Sequence, residues 1–139
     1  MTIDEKQEEI IEEFSVYDDW MEKYEYIIDL GKDLPIIDKA KKTDDRLISG
    51  CQSQVWLDAE VKNGKLHFTA DSDAIITKGI IALLVQVMNH ETPEDIIKSN
   101  LYFIDKIGLK EHLSPTRSNG LLSMVTKIKM LALANIKNK

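Results

Sequence analysis

The spacing of apolar residues predicts two helices in the first part of the chain. A capping box opens the first helix at Thr2, and its apolar residues keep helical spacing to about Phe14. Asp18 or Asp19 caps a second helix, which ends at Gly31. The segment that follows carries a basic run and is predicted to be a solvated loop.

The middle of the chain alternates apolar and polar residues with the period of two that is typical of β-strands. A clean alternation starts at Val55, and the Asn63-Gly64 pair after it is a strong short-range hairpin signal. Arg46–Ser49 reads as a further short strand, and Gly50–Ser53 connects it to the next one. The pattern therefore predicts three antiparallel strands with one apolar face.

The rest of the chain is predicted to be helical. Asp71-Ser72-Asp73 opens a helix that is apolar on nearly all sides through Met88, so we expect it to be buried against the sheet. Shorter helices follow, and Ser118 or Asn119 begins the last long one. We expect an α+β fold: a small three-stranded antiparallel sheet with helices packed on one side. Residues 1–139 are expected to form a single domain, because no repeat or linker is visible.

Composition narrows the class of protein. The net charge of −6 argues against nucleic acid or an anionic membrane as the main partner. The longest apolar run, residues 80–88, is too short to span a bilayer, and the N-terminus lacks the pattern of a signal peptide. A single cysteine excludes an internal disulfide, so we expect a cytoplasmic protein.

The one cysteine, Cys51, lies in a turn of small and polar residues. Its neighbours in that turn are Gly50, Gln52, Ser53 and Gln54. A lone intracellular cysteine is most often a buried structural thiol, but a turn at the end of a sheet presents its side chains to other molecules. A reactive thiolate needs positive charge or amide donors nearby. The nearby candidates are Arg46 and the N–H groups of the turn itself, and the more distant ones are Arg117 and His112.

The histidines do not form a metal motif. None of the three lies three or four residues from another histidine or from the cysteine, so we expect no bound metal and no cofactor. A Cys–His nucleophilic pair formed through space stays open, although no Asp or Asn is recognisably placed to orient the base.

The cysteine turn belongs to a longer pattern. Gly50–Trp56, which reads GCQSQVW, resembles the signature of the SufE family, the sulfur-acceptor proteins of iron–sulfur cluster assembly. Other segments resemble the family in order and with consistent spacing: Trp20–Pro35, Asp71–Ala82 and His112–Leu121. The resemblance covers about Phe14 to Ile128.

The resemblance implies a sulfur carrier that has no cofactor of its own. In the family, a SufS-like cysteine desulfurase uses pyridoxal phosphate to form a persulfide on its own cysteine. The SufE-like partner takes the outer sulfur on its cysteine, here Cys51, stimulates the desulfurase and passes the sulfur to an iron–sulfur scaffold complex. The resemblance also implies a fold shared with scaffolds of the IscU type. One cysteine is too few to hold a cluster, and no second thiol is present to attack the persulfide.

The motif segments also contain charged residues for a docking surface around the cysteine. We expect it to include Asp71, Asp73 and Arg117, with His112 in support, although Asp71 or Ser72 is equally suited to cap the buried helix. The thiol is expected to be mostly buried in the free protein, which is expected to be a monomer or a weak homodimer.

Two other functions stay open from the residues alone. One is a stand-alone cysteine-dependent enzyme that acts on a small substrate. The other is an interaction module in which the cysteine is inert.

Overall fold

The computed structural model describes residues 1–136, and the predicted α+β class is confirmed. Short 3-10 turns lie at Lys39–Lys41, Asp44–Arg46 and Lys110–His112. The helices and strands are α1 (Ile3–Ser15), α2 (Trp20–Gly31), β1 (Val55–Lys62), β2 (Lys65–Ser72), α3 (Ile75–Met88), α4 (Pro93–Lys98), α5 (Phe103–Lys106) and α6 (Pro115–Ile136).

The hairpin follows the predicted alternation. β1 and β2 pair antiparallel in a register that runs from Val55 opposite Ser72 to Lys62 opposite Lys65. Both turn residues, Asn63 and Gly64, have positive φ, 55° and 76°, as the sequence pair favours. The apolar face is buried; it consists of Val55, Leu57, Leu66, Phe68 and Ala70.

The predicted third strand at Arg46–Ser49 is wrong, and the described sheet has two strands. The chain instead curls into a 3-10 turn at Asp44–Arg46, and a single bridge joins Leu47 to Trp56 of β1. Gly50, with a φ of +90°, then turns the chain away before a second bridge can form.

Two helices begin at residues other than those predicted. α3 begins only at Ile75, because β2 continues through Ser72. α6 begins earlier than predicted, at Pro115, since proline suits the first position of a helix. The hydroxyl of Ser114 accepts the N–H of Arg117 at 3.3 Å, as a helix-capping serine does.

The polar face of the hairpin is covered by ion pairs with the basic run, which is therefore not simply solvated. Lys41 Nζ lies 3.4 Å from Asp58 and 2.8 Å from Glu60, and Lys42 Nζ lies 2.5 Å from Asp71. Each pair is partly exposed and adds little stability alone. Together they hold the segment that leads into the cysteine turn against β1 and β2.

α3 packs against both α2 and β2, and it also contacts α1 and α6. It approaches α2 closely at Gly79, where a Cβ would overlap the carbonyl oxygen of Ile27 and lie 2.6 Å from its Cγ2. Gly31 meets the same backbone, since a Cβ there would lie 3.2 Å from the Gly79 nitrogen. The two helices can pack at this distance only because both positions lack side chains.

We therefore predict that Gly79→Ala lowers the free energy of unfolding by about 3 kcal/mol, because backbone must move to admit the methyl group. Urea unfolding followed by circular dichroism measures the loss. Gly64→Ala is the matched control, because the added methyl group would meet no atom within 4 Å. The positive φ at this position should lower the free energy of unfolding by about 1 kcal/mol. A smaller loss for Gly79→Ala than for Gly64→Ala would contradict this packing.

Candidate functional site

The cysteine turn is held at both ends by backbone hydrogen bonds. Before it, the N–H of Ile48 donates to the carbonyl of Val55 at 2.8 Å. After it, the N–H of Gln54 donates to the carboxylate of Asp73 at 3.0 Å, and the N–H of Asp73 donates to the carbonyl of Gln54 at 3.2 Å. Movement of the turn is therefore confined to the few residues between these anchors, with Cys51 among them.

The turn lies on α6. The thiol of Cys51 contacts Gly120, whose carbonyl oxygen is 3.7 Å from Sγ. Gly50 approaches Ser123 so closely that a Cβ at Gly50 would overlap the serine hydroxyl. Cys51 is half-buried, so it is less sheltered than the expected mostly buried thiol.

A small cavity of about 60 Å³ opens beside the thiol, between α3 and α6. Its inner wall contains the buried residues Thr77, Ile80, Gly120 and Met124. Gln52, Thr116 and Arg117 also line it and are exposed. The cavity thus has a mixed inner wall, with Thr77 beside the apolar side chains of Ile80 and Met124, and a mouth of exposed polar residues.

Burial raises the pKa of the Cys51 thiol. The neutral thiol is therefore the resting form, and it is a weak nucleophile until its surroundings change. Of the three side chains proposed to activate it, only Arg117 lines the cavity. Arg117 is exposed, and burial is the one cause of the raised pKa of Cys51, so Arg117 does not lower the pKa of the thiol in the resting turn.

The other two candidates are engaged elsewhere. Arg46 Nε donates to Asp58 at 3.1 Å on the polar face of the hairpin. His112 stacks on Trp20 with ring centroids 4.0 Å apart, and its Nδ1 lies 2.9 Å from the carbonyl oxygen of Gly108. No contact within the described residues joins His112 to Cys51, so the geometry gives a Cys–His pair no support.

Asp71 faces the basic run, not the cavity. Partial burial favours its neutral acid, but hydrogen bonds from Lys42, Ser72 and Lys78 outweigh this and lower the pKa of Asp71. Neither Asp71 nor Ser72 is the N-cap of α3, which is Ala74, but the Ser72 hydroxyl accepts the N–H of Ala74 at 3.3 Å. The capping interpretation is therefore wrong for Asp71, whereas Ser72 supports the residue that precedes the helix.

Several residues of the site were not singled out by the sequence. Gly120 stands inside a family-like segment, but nothing in its spacing shows that it touches the thiol. Thr77, Ile80 and Met124 read as ordinary core positions of two helices. Only the packing of α3 and α6 under the turn brings these residues to Cys51.

No cluster of three or more metal-ligating side chains is found within residues 1–136. His67 and His90 face each other with ring centroids 4.5 Å apart, away from the cysteine turn. None of the helices in the same range is both long enough and apolar enough to cross a membrane.

The fold resembles one that has been solved. The solution structure of a hypothetical protein from Thermus thermophilus superposes with a TM-score of 0.79 and covers 95% of this chain and 96% of its own. Its sequence is 19% identical, so this likeness concerns the fold alone.

Two relatives found by sequence are more similar to this chain than the solved structure is. An uncharacterized SufE-like protein of Rhizobium meliloti is 37% identical over 127 residues, which are 88% of this chain and 91% of the relative. Another, from Rhizobium etli, is 39% identical over 127 residues, covering 88% and 86%. Residues 8–132 match the family model described as "SufE: Fe-S metabolism associated domain", and the chain therefore belongs to the SufE family.

Proposed function

We propose that this protein accepts sulfur on Cys51 from the persulfide of a cysteine desulfurase and passes it to an iron–sulfur scaffold complex. The observation that carries the proposal is the single thiol, held in an anchored turn at the mouth of a small cavity. Membership of the SufE family supports the same role. The protein is proposed to act in the cytoplasm, as a monomer or a weak homodimer, and to stimulate the desulfurase by removing its product.

The transfer balances without an oxidant. The Cys51 thiolate attacks the outer sulfur of the donor persulfide, a new S–S bond forms, and the donor's S–S bond breaks to release the donor cysteine as a thiolate. The proton of the resting thiol leaves before the attack. In delivery, an acceptor thiolate attacks the outer sulfur on Cys51 in the same way and regenerates the Cys51 thiolate.

Docking must change the surroundings of the thiol, because burial keeps it protonated at rest. The anchors at Ile48 and Gln54 limit the motion to the turn between them. We propose that a partner that prefers the exposed thiol shifts the turn toward an open conformation.

The docking rim is proposed to consist of the exposed residues at the mouth of the cavity, foremost Gln52 and Arg117. Asp73 supports the rim indirectly, since its carboxylate holds the end of the turn. Asp71, paired with two lysines, and His112, stacked on Trp20, are supporting residues in this proposal.

We predict that Cys51→Ser gains no mass of sulfur after incubation with a desulfurase and cysteine, while the wild-type protein gains one sulfur. The isosteric change at a half-buried site should alter the free energy of unfolding by no more than about 1 kcal/mol. Intact mass spectrometry measures the sulfur. Ser49→Ala, in the exposed residue just before the turn, is the control and should gain sulfur normally. A sulfur found on Cys51→Ser would rule the assignment out.

Reversing the charge at the mouth tests the docking rim. We predict that Arg117→Glu raises the concentration needed for half-maximal stimulation of the desulfurase about tenfold at low ionic strength, and less at high ionic strength. Lys106→Glu, an equal charge reversal at an exposed residue of α5, is the control and should leave that concentration unchanged. Equal effects of the two variants would show that net charge, and not the position of Arg117, matters.

A further inference from the structure

The outer edge of β2 is covered by other segments of the chain. The N–H of Leu66 donates to the carbonyl of Glu91 at 2.9 Å, and the N–H of Phe68 donates to the side-chain oxygen of Asn89 at 2.7 Å. The N–H of Ala70 donates to a carbonyl of the segment after α2 at 3.0 Å. These bonds show that Leu66, Phe68 and Ala70 direct their backbone groups away from β1.

The opposite edge of the hairpin, on β1, is open in its second half. Residues that face each other in an antiparallel pair direct their backbone groups either both inward or both outward. Ala59 lies opposite Phe68 and Val61 lies opposite Leu66, so the N–H and C=O groups of Ala59 and Val61 point outward. They form no hydrogen bond to any other segment within residues 1–136, and the Val61 residue is 47% exposed.

The open half of β1 also carries exposed charges of both signs. An open strand edge can pair with another strand, and charged side chains decide which strand fits. Glu60 is bonded to Lys41 at 2.8 Å, whereas Lys62 lies 3.8 Å from Glu60, which is too far for a hydrogen bond. The side chain of Lys62 is 61% exposed and is therefore able to turn toward a carboxylate of another molecule.

The sequence of this edge fits a second copy of itself in one register. A two-fold axis pairs the two β1 strands antiparallel, and outward residues must then face each other. With Val61 opposite Val61, Glu60 of each copy faces Lys62 of the other. With Ala59 opposite Val61, the two Glu60 side chains face each other, and with Ala59 opposite Ala59, Glu60 faces Asp58. The first of these registers joins opposite charges, which stabilise directly opposed strand residues, and the other two join like charges.

We propose that the open edge of β1 is a homodimer interface, in which two copies pair about a two-fold axis at Val61 and form a continuous four-stranded sheet. Each Val61 donates its N–H to the carbonyl of the other, and the two valine side chains cover each other. The contact is much smaller than a standard interface of about 1,600 Å², so we expect association at roughly millimolar concentration.

This proposal gives a surface to the weak homodimer of the proposed function, and it does not depend on sulfur transfer. Val61 lies about 20 Å along β1 from Val55, the residue at the cysteine-turn end of the strand. The dimer therefore leaves the cysteine turn accessible to a desulfurase.

A thiol on the two-fold axis traps even a weak dimer. Val61→Cys is made in the Cys51→Ser protein, so that each chain has one thiol. In the proposed register the two Cα atoms lie about 5.5 Å apart, which is within the range that a disulfide spans. Oxidised glutathione is the oxidant: two protein thiols become one disulfide while one glutathione disulfide is reduced to two thiols. Non-reducing electrophoresis measures the rate.

We predict that Val61→Cys forms the disulfide dimer at least about tenfold faster than Val16→Cys in the same background and at the same concentration, because pairing raises the effective concentration of the thiols. Val16 is 70% exposed and lies outside the hairpin, so its thiol reports random collision.

The charges on β1 test the register. Adding Lys62→Glu to the Val61→Cys protein should slow dimerisation about tenfold, because Glu60 would then face a carboxylate. Lys65→Glu makes the same charge change on β2 and is the matched control, which should keep the rate. Glu60→Lys should also slow dimerisation. An equal mixture of the Lys62→Glu and Glu60→Lys proteins should recover the rate as a mixed dimer, because both opposed pairs again have opposite charges.

Either of two results would overturn the proposal. One is equal rates for Val61→Cys and Val16→Cys, and the other is a mixture that dimerises no faster than either charge variant alone. Circular dichroism shows whether each variant is folded. If Glu60→Lys does not fold, equal rates for Lys62→Glu and Lys65→Glu decide against the register.

Sulfur acceptance is scored separately, by intact mass, in the protein that keeps Cys51. There Lys62→Glu should still gain one sulfur from a desulfurase and cysteine. Failure of the proposed function would remove this gain and leave the disulfide dimer of Val61→Cys, whereas failure of the dimer proposal would do the reverse.

Discussion

The close approach of α3 to α2 determines where the cysteine site is formed. Gly79 and Gly31 let α2 and α3 meet backbone to backbone, while α3 also packs on β2 of the hairpin. This position of α3 brings Thr77 and Ile80 under the cysteine turn. A wider spacing of the helices would alter the inner wall of the cavity and the end of β2 that anchors the turn.

A second glycine contact connects α6 to the cysteine turn. α6 runs beneath the turn, with Gly120 against Cys51 and Ser123 against Gly50. The site is therefore built from a short turn and the two helices beneath it. Burial raises the pKa of the free thiol, so the proposed transfer requires a change in the surroundings of Cys51.

The elements whose patterns are local were predictable from the sequence. The alternation from Val55, the hairpin pair Asn63-Gly64 and the nearly all-apolar α3 each depend on neighbours in the chain, and each was predicted correctly in kind. The strand expected at Arg46–Ser49 failed because four residues cannot reveal whether they extend or curl. The acidic run before them formed a 3-10 turn, and Arg46 turned toward Asp58.

The site was predictable only where its pattern is local in the sequence. Cys51 stood out as a thiol in a polar turn, and its motif carried the family resemblance. The partners of that thiol come from distant segments, so Gly120 and Met124 could not be identified as its neighbours before α6 was placed. His112 lies in a motif that resembles the family, and its ring contacts Trp20 and Gly108, so its supporting role stays a prediction.

Sulfur transfer to Cys51 is tested most directly by a single-turnover reaction between purified proteins. A desulfurase loaded with one labelled persulfide sulfur is mixed with an equal amount of this protein, without small thiols, and the digested peptides are weighed. If Cys51 accepts sulfur, the label leaves the donor and appears on the peptide that contains Cys51. Label that stays on the donor, or that appears on this protein after Cys51 has been alkylated, would contradict it.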